Sequence, residues 1–76
     1  MKDPKEPKYL KAFGRRLANL RRERGLTQEA LAEKADITTL SLTFIETGRR
    51  WPRITTLHRL ARCLSVKLDD LFKELS

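Results

Sequence analysis

The chain has 76 residues, with 17 Lys and Arg against 10 Asp and Glu, a formal charge of +7 and an isoelectric point near 10.2. That length holds one small domain, which buries roughly 60–65% of its unfolded surface, so the core is thin and a partner subunit would add to it. No apolar run approaches the ~20 residues of a membrane span, the opening "MKDPKEPK" has no signal-peptide core, and the single Cys63 excludes an internal disulfide and a zinc site built on paired cysteines. We therefore expect a cytoplasmic protein whose positive excess suits a polyanion, either nucleic acid or an acidic surface.

Residues 1–8 hold two prolines, three lysines and two acids. With almost nothing to bury, ordering them would cost entropy without return, so a flexible basic arm is expected, followed by one domain over residues 9–76. The first helix is predicted from about Lys8 to Arg24. Leu10, Phe13, Leu17 and Leu20 share one face, and Arg15, Arg16, Arg21, Arg22 and Arg24 cover the rest. Gly25 ends it, as glycine does just past a helix. Thr27 caps the second helix, Gln28 and Glu29 fill its first turn, and Leu31, Ala32 and Ala35 form its buried side. Asp36 then stands where a left-handed residue is wanted, and Asp is a tolerable second choice to glycine.

The third helix, over about residues 38–47, is capped by Thr38. It carries two apolar pairs, Leu42 with Ile45 and Leu40 with Phe44, which at about 100° per residue point to nearly opposite sides. Ile37 and Leu42 are spaced as a hydrophobic staple, which assigns the Leu42/Ile45 face to the core. Leu40 and Phe44 then look outward beside Thr43 and Thr47, and Gly48 stops the helix. A basic loop, "RRWPR", leads to a fourth helix from about Ile54, with Leu57, Leu60, Ala61 and Leu64 on one face. Leu68, Leu71, Phe72 and Leu75 repeat that spacing in a fifth. No β-alternating stretch and no internal repeat occurs, so the fold class is all-α, five short helices with brief connections.

Two short helices joined by a tight turn form a helix-turn-helix, whose second helix enters the DNA major groove. Counting from Gln28, a small Ala32 falls four residues on, where the two helices nearly touch, and the turn residue Asp36 falls eight on. Together with "GLTQEALA", "IETG" and the final "LDDLF", this spacing makes the chain resemble the compact five-helix DNA-binding domain of phage repressors, Cro-type proteins and restriction–modification controller proteins. The resemblance covers about Phe13 to Phe72.

The resemblance implies roles for particular residues. Gln28, at the start of the second helix, would contact a phosphate, which the free N–H groups there also favour. Arg21 and Glu46 match a pair that joins the first helix to the end of the third. Thr39, Leu40, Thr43, Phe44 and Thr47, with Thr38 at the helix start, match the positions that read bases. Here the chain departs from its relatives: no side chain on that face can make the bidentate contacts that Arg makes to guanine or Asn and Gln make to adenine. Readout is expected to rest on thymine methyls, phosphates and DNA shape, unless Leu40 and Phe44 serve a protein contact instead. Arg49, Arg50 and Arg53 would follow the DNA backbone or reach a narrow minor groove. Arg15, Arg16 and Arg22 read as solvated charges. Trp51 either covers the core edge or meets the sugar–phosphate chain. Arg53 and Lys67 stand where relatives place a Ser-type cap, and Ser65 replaces a turn glycine. Relatives pair through the fifth helix, so some of Leu68, Leu71, Phe72 and Leu75 are expected at a homodimer interface, the alternative being plain core filling.

An enzyme is not expected. The one histidine, His58, lies among arginines with no carboxylate, Ser or Cys partner at a useful spacing, and no phosphate-cradling glycine loop exists. Cys63 reads as a buried filler. The reading is a homodimeric, sequence-specific regulator of transcription. Its partner is double-stranded DNA with paired half-sites about one turn, ~34 Å, apart. No cofactor, metal, membrane or small-molecule ligand is expected. The alternative is a protein-interaction module, such as an antitoxin holding a toxin through Leu40, Phe44 and Trp51.

Overall fold

The computed structural model describes residues 7–73 and Leu75. It contains four α-helices, α1 (Pro7–Glu23), α2 (Gln28–Lys34), α3 (Thr39–Glu46) and α4 (Ile54–Cys63), followed by a 3₁₀ helix at Leu68–Phe72. The first six residues of the expected arm lie outside the described residues, and Pro7 and Lys8 belong to α1. Proline suits that first turn, where its missing N–H has no helical partner to lose.

The helix starts follow side-chain chemistry. The Thr27 hydroxyl accepts from the Ala30 N–H at 3.0 Å, and that of Thr38 accepts from the Ser41 N–H at 3.0 Å. Arg53 and Lys67 give no such cap. The four α-helices all end in the same left-handed turn, at Gly25, Asp36, Gly48 and Ser65. In each, the following residue's N–H reaches back five residues: Leu26 to Arg21, Ile37 to Ala32, Arg49 to Phe44 and Val66 to Ala61, at 2.8–3.1 Å. Asp36 and Ser65, at φ of 58° and 57°, do this without being glycine.

The helices close around Phe13, Leu17, Leu31, Leu42, Leu60, Leu64 and Leu71, all fully buried. Full burial of one such side chain contributes on the order of 1.5–3 kcal/mol. Trp51 is half-buried against this core, with its ring 5.2 Å from that of Phe13, so it covers the core edge. Gly14, which the periodicity passed over, is buried where α1 meets the end of α3. A Cβ there would fall 2.5 Å from the Ile45 carbonyl oxygen and nearer still to that of Glu46. The backbones can approach so closely only with glycine at this position.

Three expectations need correction. The fifth helix is a five-residue 3₁₀ helix. So short a segment closes too few i→i−4 bonds to hold an α-helix. Instead the Asp70 N–H bonds the Lys67 carbonyl at 2.9 Å, and the Asp70 carboxylate accepts from the Lys67 N–H at 3.0 Å. Leu71, grouped with the interface residues, is 0% exposed and belongs to the monomer's own core. Leu68 and Leu75 are half-buried and Phe72 is 40% exposed. Arg16 is also not simply solvated, since its Nε donates to the Asp70 carbonyl at 2.9 Å, and Arg24 does the same to the Leu64 carbonyl. Arg16 of α1 and Arg24 in the turn just after it thus tether the C-terminal part of the chain.

Candidate nucleic-acid interface

The turn between α2 and α3 is built as its spacing suggested. Ala32 and Ala35 are buried, Asp36 takes the left-handed turn, and Ile37 packs on the core beside buried Leu42 and Ile45. With that face of α3 committed, Leu40 is 62% exposed and Phe44 is half-buried, so neither lies in the hydrophobic interior. The Arg50 guanidinium carbon lies 5.3 Å from the Phe44 ring centroid and that of Arg49 6.0 Å. Two cations therefore stand over the outward aromatic, each contact contributing roughly 0.5–1 kcal/mol at an exposed site. Arg49, Arg50 and Arg53 are all exposed, so three positive charges follow α3 directly.

A buried polar network fixes the orientation of α3. Arg21 of α1 meets Glu46 of α3 through Nε–Oε2 at 2.8 Å and Nη2–Oε1 at 3.2 Å, while its Nη1 donates to the Leu26 carbonyl at 2.8 Å. Gln28 of α2 donates from Nε2 to Glu46 Oε1 at 2.9 Å, and its Oε1 accepts from the Thr43 hydroxyl at 3.2 Å. Three helices are joined in one constellation. Gln28, expected as an outward donor to phosphate, thus turns its amide inward, leaving its second amide hydrogen for any other partner. The sequence could not show this, because the residues it joins lie up to 25 positions apart.

The threonines are engaged as well. Thr43 donates to the Thr39 carbonyl at 3.0 Å besides Gln28, Thr47 donates to the Thr43 carbonyl at 2.7 Å, and Thr38 donates to the Ser41 hydroxyl at 2.9 Å. A groove of about 590 Å³ lies where residues of the α2–α3 turn meet the loop before α4 and the start of that helix, and Arg50, Arg53 and Arg59 are among its lining. Among the described residues no cluster of His, Cys, Asp and Glu is arranged to hold a metal, and no helix is long and apolar enough to cross a membrane.

Comparison with known proteins agrees with this architecture. The helix-turn-helix family model matches residues 17–71. An HTH-type transcriptional regulator of Sinorhizobium fredii is 43% identical over 61 residues, which span 80% of this chain and 79% of that protein. The immunity repressor protein of Bacillus phage phi105 is 38% identical over 61 residues, 80% of this chain and 42% of the repressor. Among solved structures, the restriction-modification controller protein C.AhdI from Aeromonas hydrophila superposes with a TM-score of 0.81 at 33% identity, covering 83% of this chain and 96% of that one.

Proposed function

This chain belongs to the helix-turn-helix family, and we propose that it is a transcriptional regulator that binds double-stranded DNA as a homodimer. The observation that carries the reading is the division of α3 into two faces. Leu42 and Ile45 are locked in the core, whereas Leu40, Thr43, Phe44 and Thr47 look away from it beside three exposed arginines. An α-helix of eight residues is about 12 Å long and 10–12 Å across, a fit to the ≈12 Å major groove. Thr39, Leu40, Thr43, Phe44 and Thr47, with Thr38 at the entry, meet the base edges. Arg49, Arg50 and Arg53 neutralise phosphates, and Gln28 adds its second amide hydrogen. The Arg21–Glu46–Gln28 constellation holds α3 at its angle.

The dimer pairs through the C-terminal edge. Phe72 is 40% exposed there, with Leu68 and Leu75 beside it partly packed on the core. Two copies related by a twofold axis would present their α3 helices to half-sites one turn apart, ~34 Å. The output comes from occupancy of the operator, by blocking polymerase or by contacting it from an adjacent site. Titration of duplex binding against salt tests the reading. With ~6 phosphate contacts per dimer the log–log slope is about −5. A flat slope with no measurable duplex affinity would refute it and favour a protein partner on the Leu40/Phe44 face. Sedimentation of Phe72→Glu tests the dimer: the variant should run as a monomer and lose most of its DNA affinity.

A further inference from the structure

We propose that the outward face of α3 recognises the C5-methyl group of pyrimidines in the major groove, so that 5-methylcytosine substitutes for thymine and cytosine methylation redirects binding. This rests on the DNA-binding reading above and names the chemistry that the site selects.

A threonine hydroxyl has one proton, and those of Thr38, Thr43 and Thr47 are directed at Ser41, at the Thr39 carbonyl and Gln28, and at the Thr43 carbonyl. None of the three has a donor left for a base edge. Leu40, 62% exposed, and Phe44, with two guanidinium groups over its ring, have no polar atoms on their side chains. Of the base edges in the major groove, only thymine offers such side chains a complementary apolar group, its C5-methyl. Arg49 and Arg50 sit over Phe44, beside that contact, and draw in the phosphates that bring the methyl to it.

The methyl contact alone does not tell thymine from 5-methylcytosine. The two present identical methyls and differ at the neighbouring position, a carbonyl in one and an amino group in the other. Thr39 alone among the described hydroxyls of this face has no internal partner, and a hydroxyl that both donates and accepts suits either group. A cytosine at a contacted position therefore loses the methyl contact, and its methylation returns it. Burying one methyl changes affinity about 4-fold, so a position repeated in two half-sites changes it about 16-fold.

The test uses the full chain and a duplex enriched from a random library by repeated rounds of binding. Fluorescence anisotropy then compares that duplex with versions carrying deoxyuridine for each thymine in turn, and with C·G and 5-methylC·G pairs at the sensitive positions. At one or more positions in each half-site, deoxyuridine should weaken binding about 4-fold, C·G should weaken it at least as much, and 5-methylC·G should restore most of the loss. Leu40→Ala should bring the thymine-to-uracil ratio close to one, whereas Arg53→Ala should weaken both duplexes and leave the ratio unchanged. An enriched duplex indifferent to deoxyuridine throughout, or a ratio that survives Leu40→Ala, overturns this inference and leaves DNA binding standing. Failure to enrich any duplex overturns the DNA-binding reading and this one with it.

Discussion

Glu46→Ala should remove more stability than any other single polar substitution in this chain. Three hydrogen bonds converge on that carboxylate, two from Arg21 and one from Gln28. The side chains of Arg21 and Glu46 are only 10% and 4% exposed, so water cannot replace what is lost. Removing Glu46 leaves a buried guanidinium with the Leu26 carbonyl as its hydrogen-bond acceptor, at a cost of about 3–5 kcal/mol. A domain of 76 residues has in all about 4–11 kcal/mol, so the variant should be close to unfolding at 25 °C. The double variant Arg21→Met/Glu46→Leu removes both charges and fills similar volume, and should recover to within about 1–2 kcal/mol of the parent. Urea unfolding followed by far-UV circular dichroism and Trp51 fluorescence measures all three proteins. The double variant should still bind duplex more weakly than the parent, because the angle of α3 is then set by packing alone. A loss under 1 kcal/mol in Glu46→Ala would refute the view that this pair is desolvated. A double variant as unstable as the single one would refute the view that its charges serve orientation more than stability.

Other substitutions test the frame around it. Gly14→Ala should destabilise by at least about 1–3 kcal/mol in the same urea assay, since its methyl would meet two backbone carbonyls that cannot rotate away. Ser65→Gly should raise stability by about 0.5–1 kcal/mol and the thermal midpoint with it, because φ of 57° strains a serine but not a glycine. The hydrogen bond from Lys73, with that from the Lys67 N–H, holds the Asp70 carboxyl below its ordinary value near 3.8, and Asp70 in turn raises Lys73 above 10.5. Their contribution is thus present between those values, lost as pH falls through the folded pKa of Asp70 and lost again as pH rises through that of Lys73. Asp70→Asn should accordingly flatten the acid limb of the melting profile below about pH 4, and added salt should shrink the difference because Lys73 is exposed and Asp70 only partly buried.

The helices were legible in the sequence because their signals are local. Thr27 and Thr38 announce helix starts, Gly25, Asp36 and Gly48 announce ends, and the Ile37/Leu42 staple identified the core face of α3. The Arg21–Glu46 pair was reached only through resemblance, since nothing in the spacing of residues 25 apart shows that they meet. What stayed hidden was set by tertiary contact. The inward turn of the Gln28 amide depends on Glu46 and Thr43 arriving from another helix. Leu71 and Phe72 follow the same periodicity, yet one is sealed in the core and the other is exposed, because the 3₁₀ geometry turns them differently from an α-helix. Gly14 did leave a signal, a glycine inside an amphipathic helix between Phe13 and Leu17, which often marks a close approach of backbones.

The central claim is that α3 is anchored through Leu42 and Ile45 and offers Leu40 and Phe44 to DNA. Intermolecular nuclear Overhauser effects, recorded on methyl-labelled protein saturated with the enriched duplex, test it most directly. The account predicts cross-peaks from the Leu40 methyls and the Phe44 ring to thymine methyl protons, and none from Leu42. A saturated complex with no such cross-peaks from Leu40 or Phe44, or with cross-peaks from Leu42 in their place, would contradict it.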